Sequence, residues 1–167
     1  RMDQVDDVAA ALQAGIQEIY DDVRELLLNF RSRLADAGLY QAIHVVVEKF
    51  RKQTGITVEL ESSGQGSPLP REQQLQILFI VQEALSNIRK HADAECVMIK
   101  ILDGRDFEVM ISDDGEGFDM AALSQQTESH IGLHIMQERA SSIQAELNIE
   151  SVEGQGTCVR LYLPEEH

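Results

Sequence analysis

The chain has no tryptophan, and its aromatic residues make up only 5% of the total. Aliphatic side chains must therefore build its core. Hydrophobic residues reach 43% of 167, enough for one real core, and the length fits one domain or one domain with a helical extension. No run of about 18 apolar residues occurs, so no segment reads as a membrane-spanning helix. No signal peptide is visible. The opening Arg1-Met2 is not an ordinary start, and we expect it to lie inside a longer protein or just after a tag remnant. Any membrane spans would then lie in segments upstream. Basic residues are scarce: 14 Lys and Arg face 29 Asp and Glu, for a net charge of −15. Such a field repels a phosphate backbone, which argues against nucleic acid as a partner. A small polyanionic ligand would need a metal and local basic groups to offset it. The two cysteines, Cys96 and Cys158, sit in apolar β-like runs and read as free buried thiols, not as a disulfide or metal pair. Reduced thiols fit a cytoplasmic setting.

What is present is periodic. Val5, Val8, Leu12, Ile16, Ile19, Val23, Leu26 and Phe30 form a heptad-like stripe with one stutter, predicting a long helix over residues 3–36. A narrow stripe on an acidic helix calls for a partner helix, or else for packing on its own domain. Gly38 can end that helix. Ala42, Ile43, Val46, Val47 and Phe50 mark a second helix that ends at Gly55. Ile56, Val58 and Leu60 alternate as a strand does, and residues 62–70, rich in Ser, Gly and Pro, form a loop. A strongly apolar helix is expected over 72–91. Strands at 97–101 and 107–111 pair across Asp103-Gly104, a helix spans 131–143, and strands at 147–152 and 158–163 close a last hairpin. This order suggests an α/β sandwich, with a mixed sheet covered on one face by helices.

Four local patterns could carry chemistry. Glu83, Asn87, Lys90 and His91 fall on one polar stripe of the third helix, opposite the apolar Ile77, Val81, Ala84 and Ile88. A carboxylate, an amide, an ammonium and an imidazole in line could grip Mg²⁺ and phosphates, because one amide oxygen can suffice when phosphate oxygens and water complete the shell. A solvated helix face explains the same residues. Ile111-Ser112-Asp113-Asp114-Gly115-Glu116-Gly117-Phe118 ends a strand. A carboxylate at Asp113 could accept from an exocyclic amine such as that of adenine, while Gly115 and Gly117 admit a flat ligand. A calcium loop is the rival reading, but the acids do not fall at the alternating positions it needs. Gly132 and Leu133 lead a loop into a helix, whose free N–H groups suit phosphate. Gly154-Gln155-Gly156-Thr157 reads as a hairpin turn.

Taken in order, Glu-x-x-x-Asn, Asp-x-Gly-x-Gly, Gly-Leu and Gly-x-Gly-Thr resemble the N, G1 and G2 boxes of the histidine-kinase ATPase family, over roughly residues 41–164. The stretches Gln82–Ala92 and Gly132–Ala140 are similar to those of kinases that partner NarL-type regulators. Val23–Arg31 resembles the end of the dimerisation region of nitrate/nitrite sensors.

The resemblance implies an α+β, Bergerat-type two-layer sandwich of about five strands, with residues 1–37 as the second dimerisation helix and 38–167 as the ATP-binding domain. It implies ATP and Mg²⁺ as ligands. Asn87 would hold Mg²⁺ on the phosphates, Glu83 would position water or assist proton transfer, and Lys90 and His91 would lie beside the phosphates. Asp113 would bind the adenine amine, Ile111, Gly115 and Gly117 would shape its pocket, and Thr157 would add a hydroxyl or a bridging water. Gly132 and Leu133 would belong to the G2 region, and residues 119–129 would form the lid. A NarL-type response regulator, a homodimer in the full protein and the cytoplasmic side of an inner-membrane sensor are also implied. The class marks its phosphoacceptor as His followed by Asp or Glu. None of His44, His91, His130, His134 and His167 is so followed, and we expect the acceptor helix to lie outside this chain. An anti-sigma-type serine kinase and a non-catalytic nucleotide-binding module of the same fold remain as alternatives.

Overall fold

A computed structural model describes the backbone of residues 2–64, 69–119 and 128–165, and within it the side chains of 4–18, 38–64, 69–119 and 131–165. Most of the expected lid and the side chains of Val23–Arg31 lie outside the described residues.

Helix α1 spans Met2–Thr54 and breaks at Gly38, whose φ of 83° and ψ of −179° no helix accommodates. The break falls where the two predicted helices meet. Beyond it, Ala42, Ile43, Val47 and Phe50 are buried, as their helical spacing requires. Gly55 ends the helix at a φ of 71°, its N–H reaching Arg51 O at 2.8 Å. Before the break, Val5, Val8 and Ile16 are exposed while Leu12 is half-buried, so this part of the stripe is largely uncovered.

Helix α2 (Arg71–Asn87) is followed by a π-helical turn over Ile88–Ala92, and α3 covers Glu128–Ser142. Strands β1 (Thr57–Ser63), β2 (Cys96–Asp103), β3 (Phe107–Asp113), β4 (Glu146–Val152) and β5 (Gly156–Leu163) form one sheet in the order β1-β2-β3-β5-β4. The β1–β2 pair is parallel and the others are antiparallel, so the sheet is mixed. Val97, Ile99 and Ile101, then Phe107, Val109 and Ile111, then Val159, Leu161 and Leu163 alternate inward and are buried under the helices. The opposite face carries Lys100, Glu108, Arg160 and Tyr162, whose partners cross neighbouring strands or the β2–β3 turn. One apolar face per strand dictates the two-layer sandwich. Arg139 on α3 stacks over the Phe79 ring on α2, 4.9 Å from its centroid, and ties the two helices together.

Cys96 and Cys158 are free, as expected, but half-buried instead of buried. Burial, followed by the nearby Glu150 charge, pushes the Cys158 thiol above its ordinary value. Among the described residues, no helix is long and apolar enough to cross a membrane.

Candidate nucleotide-binding site

The inward register of β3 runs Phe107, Val109, Ile111 and then Asp113. The fourth inward position is thus a carboxylate, at the rim where the helical cover ends. Asp113 is 7% exposed. Its Oδ1 accepts from the Gly115 N–H at 2.9 Å, and the Thr157 N–H also donates to the carboxylate. Burial nevertheless dominates and holds its pKa above the ordinary carboxylate value, with the Asp114 charge adding to the rise. The neighbouring Asp114 behaves oppositely. It is exposed, and the Cys96 and Glu95 N–H groups, at 3.0 and 2.9 Å, hold its pKa down. Asp114 thereby fastens the end of β3 to the start of β2, while Asp113 faces inward.

Helix α2 supplies the facing wall. The sequence pattern predicted one stripe of Glu83, Asn87, Lys90 and His91, but the chain widens into the π-helical turn directly after Asn87. A wider turn brings the fourth residue on over the first and swings the third aside. Accordingly His91 lines the cleft with Asn87. Lys90 Nζ instead lies 3.2 Å from Glu18 Oε1 on α1, with Arg89 at 3.6 Å from the same oxygen. Asp93, in the left-handed region, ends the turn. Glu83 is 5% exposed and lies beneath α3.

Gly132 is not the first residue of its helix, as the sequence suggested: α3 begins at Glu128. Its role here is close approach. A Cβ at 132 would stand 2.7 Å from Glu83 Oε1, so a larger residue there requires that carboxylate to shift, while the 3.7 Å to Asn87 Oδ1 is ordinary contact. Gly117, at a φ of 64°, lies where a Cβ would come within 2.2 Å of Val152 O, which seats the loop after β3 against the β4–β5 hairpin.

The walls enclose one cleft. Asn87, His91, Ile111, Asp113, Gly117, Leu133 and Thr157, seven residues expected at the site, line it together. Ala84, Ile88, Ala92, Phe118 and Val159 complete the lining. These five carry no chemical signal that would separate them from core residues. Glu83, Lys90, Gly115 and Gly132 do not line it. Gly115 is buried in the loop behind, where the neighbouring Glu116 N–H bonds Ala92 O. A further residue escaped the sequence reading. Ser151 stands across from Thr157, with Oγ 2.7 Å from Thr157 Oγ1, and accepts from the Phe118 N–H at 2.8 Å.

A mostly apolar cleft ending in a carboxylate, a hydroxyl, an amide and an imidazole suits a flat heterocycle with a polar edge and a charged tail. Residues 72–167 match the model of the histidine kinase-, DNA gyrase B- and HSP90-like ATPases. Among curated relatives, the signal transduction histidine-protein kinase/phosphatase DegS of Brevibacillus brevis is 32% identical over 166 residues, covering 90% of this chain and 42% of its own. The nitrate/nitrite sensor protein NarQ of Escherichia coli K12 is 30% identical over 92% of this chain and 27% of its own. The chain thus spans less than half the length of these relatives. The histidine kinase domain of a blue-light activated kinase from Erythrobacter litoralis shares the fold at a TM-score of 0.70 and 20% identity, over 87% of this chain and 74% of that one. With the family model matching more than half of its length, the chain belongs to the histidine kinase-, DNA gyrase B- and HSP90-like ATPases.

Proposed function

We propose that this chain is the ATP-binding catalytic part of a two-component sensor histidine kinase, which transfers the γ-phosphate of ATP to a histidine. The observation that carries this reading is the cleft on which Asn87, His91, Asp113, Leu133 and Thr157 converge. The relative named as a histidine-protein kinase and the one named as a nitrate/nitrite sensor protein support it. In this reading residues 38–167 are the catalytic domain, and residues 1–37 are the end of a dimerisation region that pairs with a second copy in the full protein. The domain works on the cytoplasmic side of a membrane sensor and serves a NarL-type response regulator, in keeping with its likeness to NarQ.

Asp113 accepts from the adenine amine, while Ile111, Gly117 and Leu133 enclose the base. Gly115 supports the turn behind it. Glu83 and Asn87 offer hard oxygens beside Gly132. That chemistry fits Mg²⁺. Among the described residues no three His, Cys, Asp or Glu side chains cluster to hold an ion alone, so phosphate oxygens and water would complete the shell beside Asn87. Bound there, Mg²⁺ would offset phosphate charge in a chain of net −15. Glu83 positions water or assists proton transfer, and His91 lies on the phosphate side. Lys90 exchanges Glu18 for a phosphate oxygen. Catalysis is then mainly positioning and charge neutralisation, with a neutral imidazole nitrogen as nucleophile.

The test is incubation with Mg²⁺ and γ-labelled ATP, with and without the separately supplied dimerisation fragment of the same protein. Acid-labile, base-stable label on the fragment is expected. Transfer should be slow, because a tether normally supplies a high effective concentration. Stoichiometric acid-labile label on this chain alone would assign the acceptor to one of its own histidines and contradict the expectation that the acceptor lies outside this chain, and no acid-labile label on either would contradict the proposal.

A further inference from the structure

We infer that Ser151 is a specificity-determining residue of the cleft, acting by fixing the hydroxyl proton of Thr157 so that only lone pairs face the ligand. The inference rests on the cleft being the nucleotide site.

Ser151 on β4 and Thr157 on β5 are directly opposed, and their hydroxyl oxygens are 2.7 Å apart. Two further groups constrain the pair. The Phe118 N–H, 2.8 Å from Ser151 Oγ, can only donate. The Gly156 carbonyl, 3.3 Å from the same oxygen, can only accept. A serine hydroxyl has one proton and two lone pairs. Phe118 occupies one lone pair. If the Ser151 proton goes to Gly156 O, the second lone pair receives the Thr157 proton, and every group is satisfied. In the reverse arrangement Ser151 donates to Thr157, and the Gly156 carbonyl receives nothing from this hydroxyl. The first arrangement makes one hydrogen bond more than the second, which favours it.

Thr157 lines the cleft, so its proton is directed at the β4 side and its lone pairs at the ligand. Beside it stands the Asp113 carboxylate, an acceptor only when ionised. The rim is therefore an all-acceptor edge. It complements an amino group or a bridging water and rejects a carbonyl at the same place. Such polar mismatch is a strong way to discriminate between ligands of equal shape.

The experiment compares Mg²⁺-ADP with Mg²⁺-IDP, which carries a 6-oxo in place of the 6-amino group, by calorimetry on the wild-type chain, Ser151→Ala and Ser151→Thr. Wild type should prefer ADP. In Ser151→Ala the freed Thr157 hydroxyl can turn and donate to the 6-oxo, so the ADP/IDP preference should fall about tenfold. Ser151→Thr keeps the hydroxyl and should keep the preference. If Ser151 merely braces the Phe118 loop, both nucleotides weaken equally and the ratio is unchanged, which overturns the inference. Should Ser151→Ala fail to fold, Ser151→Val, which suits a strand and also lacks the hydroxyl, carries the same test. The ADP/IDP preference should again fall, and equal weakening of both nucleotides would overturn the proposal. Failure of wild type to bind ADP at all would overturn both this inference and the reading of the cleft.

Discussion

Gly132 on α3 stands directly over the Glu83 carboxylate on α2, with room for a hydrogen and none for a methyl group: a Cβ would lie 2.7 Å from Glu83 Oε1. Gly132→Ala should force a buried carboxylate aside. Alanine also favours the helix and the crowded atom is the end of a side chain, so we expect a net loss of no more than about 1–2 kcal/mol, together with weaker Mg²⁺-nucleotide binding. Urea melts and calorimetry check both, and unaltered nucleotide binding would show that Glu83 has space to yield.

Asp113→Asn should separate stability from binding. Burial raises the folded-state pKa of Asp113 above its unfolded value. For a raised carboxyl, the stabilising contribution is complete below the unfolded pKa and is lost as pH rises through the folded one. At neutral pH the ionised side chain therefore works against the fold. The asparagine variant should melt higher at pH 7 than wild type, with the gain vanishing in acid, yet should lose preference for adenine over guanine nucleotides. Wild-type affinity for ADP should fall as pH drops through the raised pKa, because protonation turns an acceptor into a donor. Melting curves and titrations across pH 4–8, about one unit per step, read both effects.

Asn87→Ala removes the amide oxygen assigned to Mg²⁺. Binding of Mg²⁺-ADP should weaken about tenfold or more, while metal-free ADP binds as before, so the advantage conferred by Mg²⁺ shrinks. Equal weakening with and without metal would point to lost contact with the base or to misfolding instead.

Glu18→Gln tests the contact between α1 and the π-helical turn. The Glu18 side chain is 45% exposed, so solvent screens the pair, and stability should change by less than about 1 kcal/mol. If Lys90 serves phosphate, releasing it should strengthen ADP binding modestly, an effect that fades at high salt. Weaker binding in the variant would mean that Glu18 helps to build the site.

Much of this was legible in the residues. Alternation placed β2, β3 and β5, and helical spacing placed Ala42, Ile43, Val47 and Phe50 on the buried side of α1. Asp113 could be singled out because it continues an apolar alternation with a charge. The π-helical turn could not be read, because Ile88–Ala92 has no composition that marks an extra residue in the helix, so Lys90 was assigned to the same stripe as His91. Gly132 looked like a helix start because glycine at an approach point and glycine at a boundary look alike in one dimension. Ser151 was missed because its partners, Phe118 and Thr157, are brought to it only by the folding of the β4–β5 hairpin against the loop after β3.

The central claim, that the cleft between α2, α3 and the ends of β3 and β5 takes an adenine nucleotide with its metal, is met most directly by one titration. ADP is added to the wild-type chain with Mg²⁺ and again with a chelator, alongside Asp113→Asn. One site per chain is expected, tighter with Mg²⁺ than without, and markedly weaker in the variant. No saturable heat in wild type, or the same affinity in wild type and variant, would contradict the account.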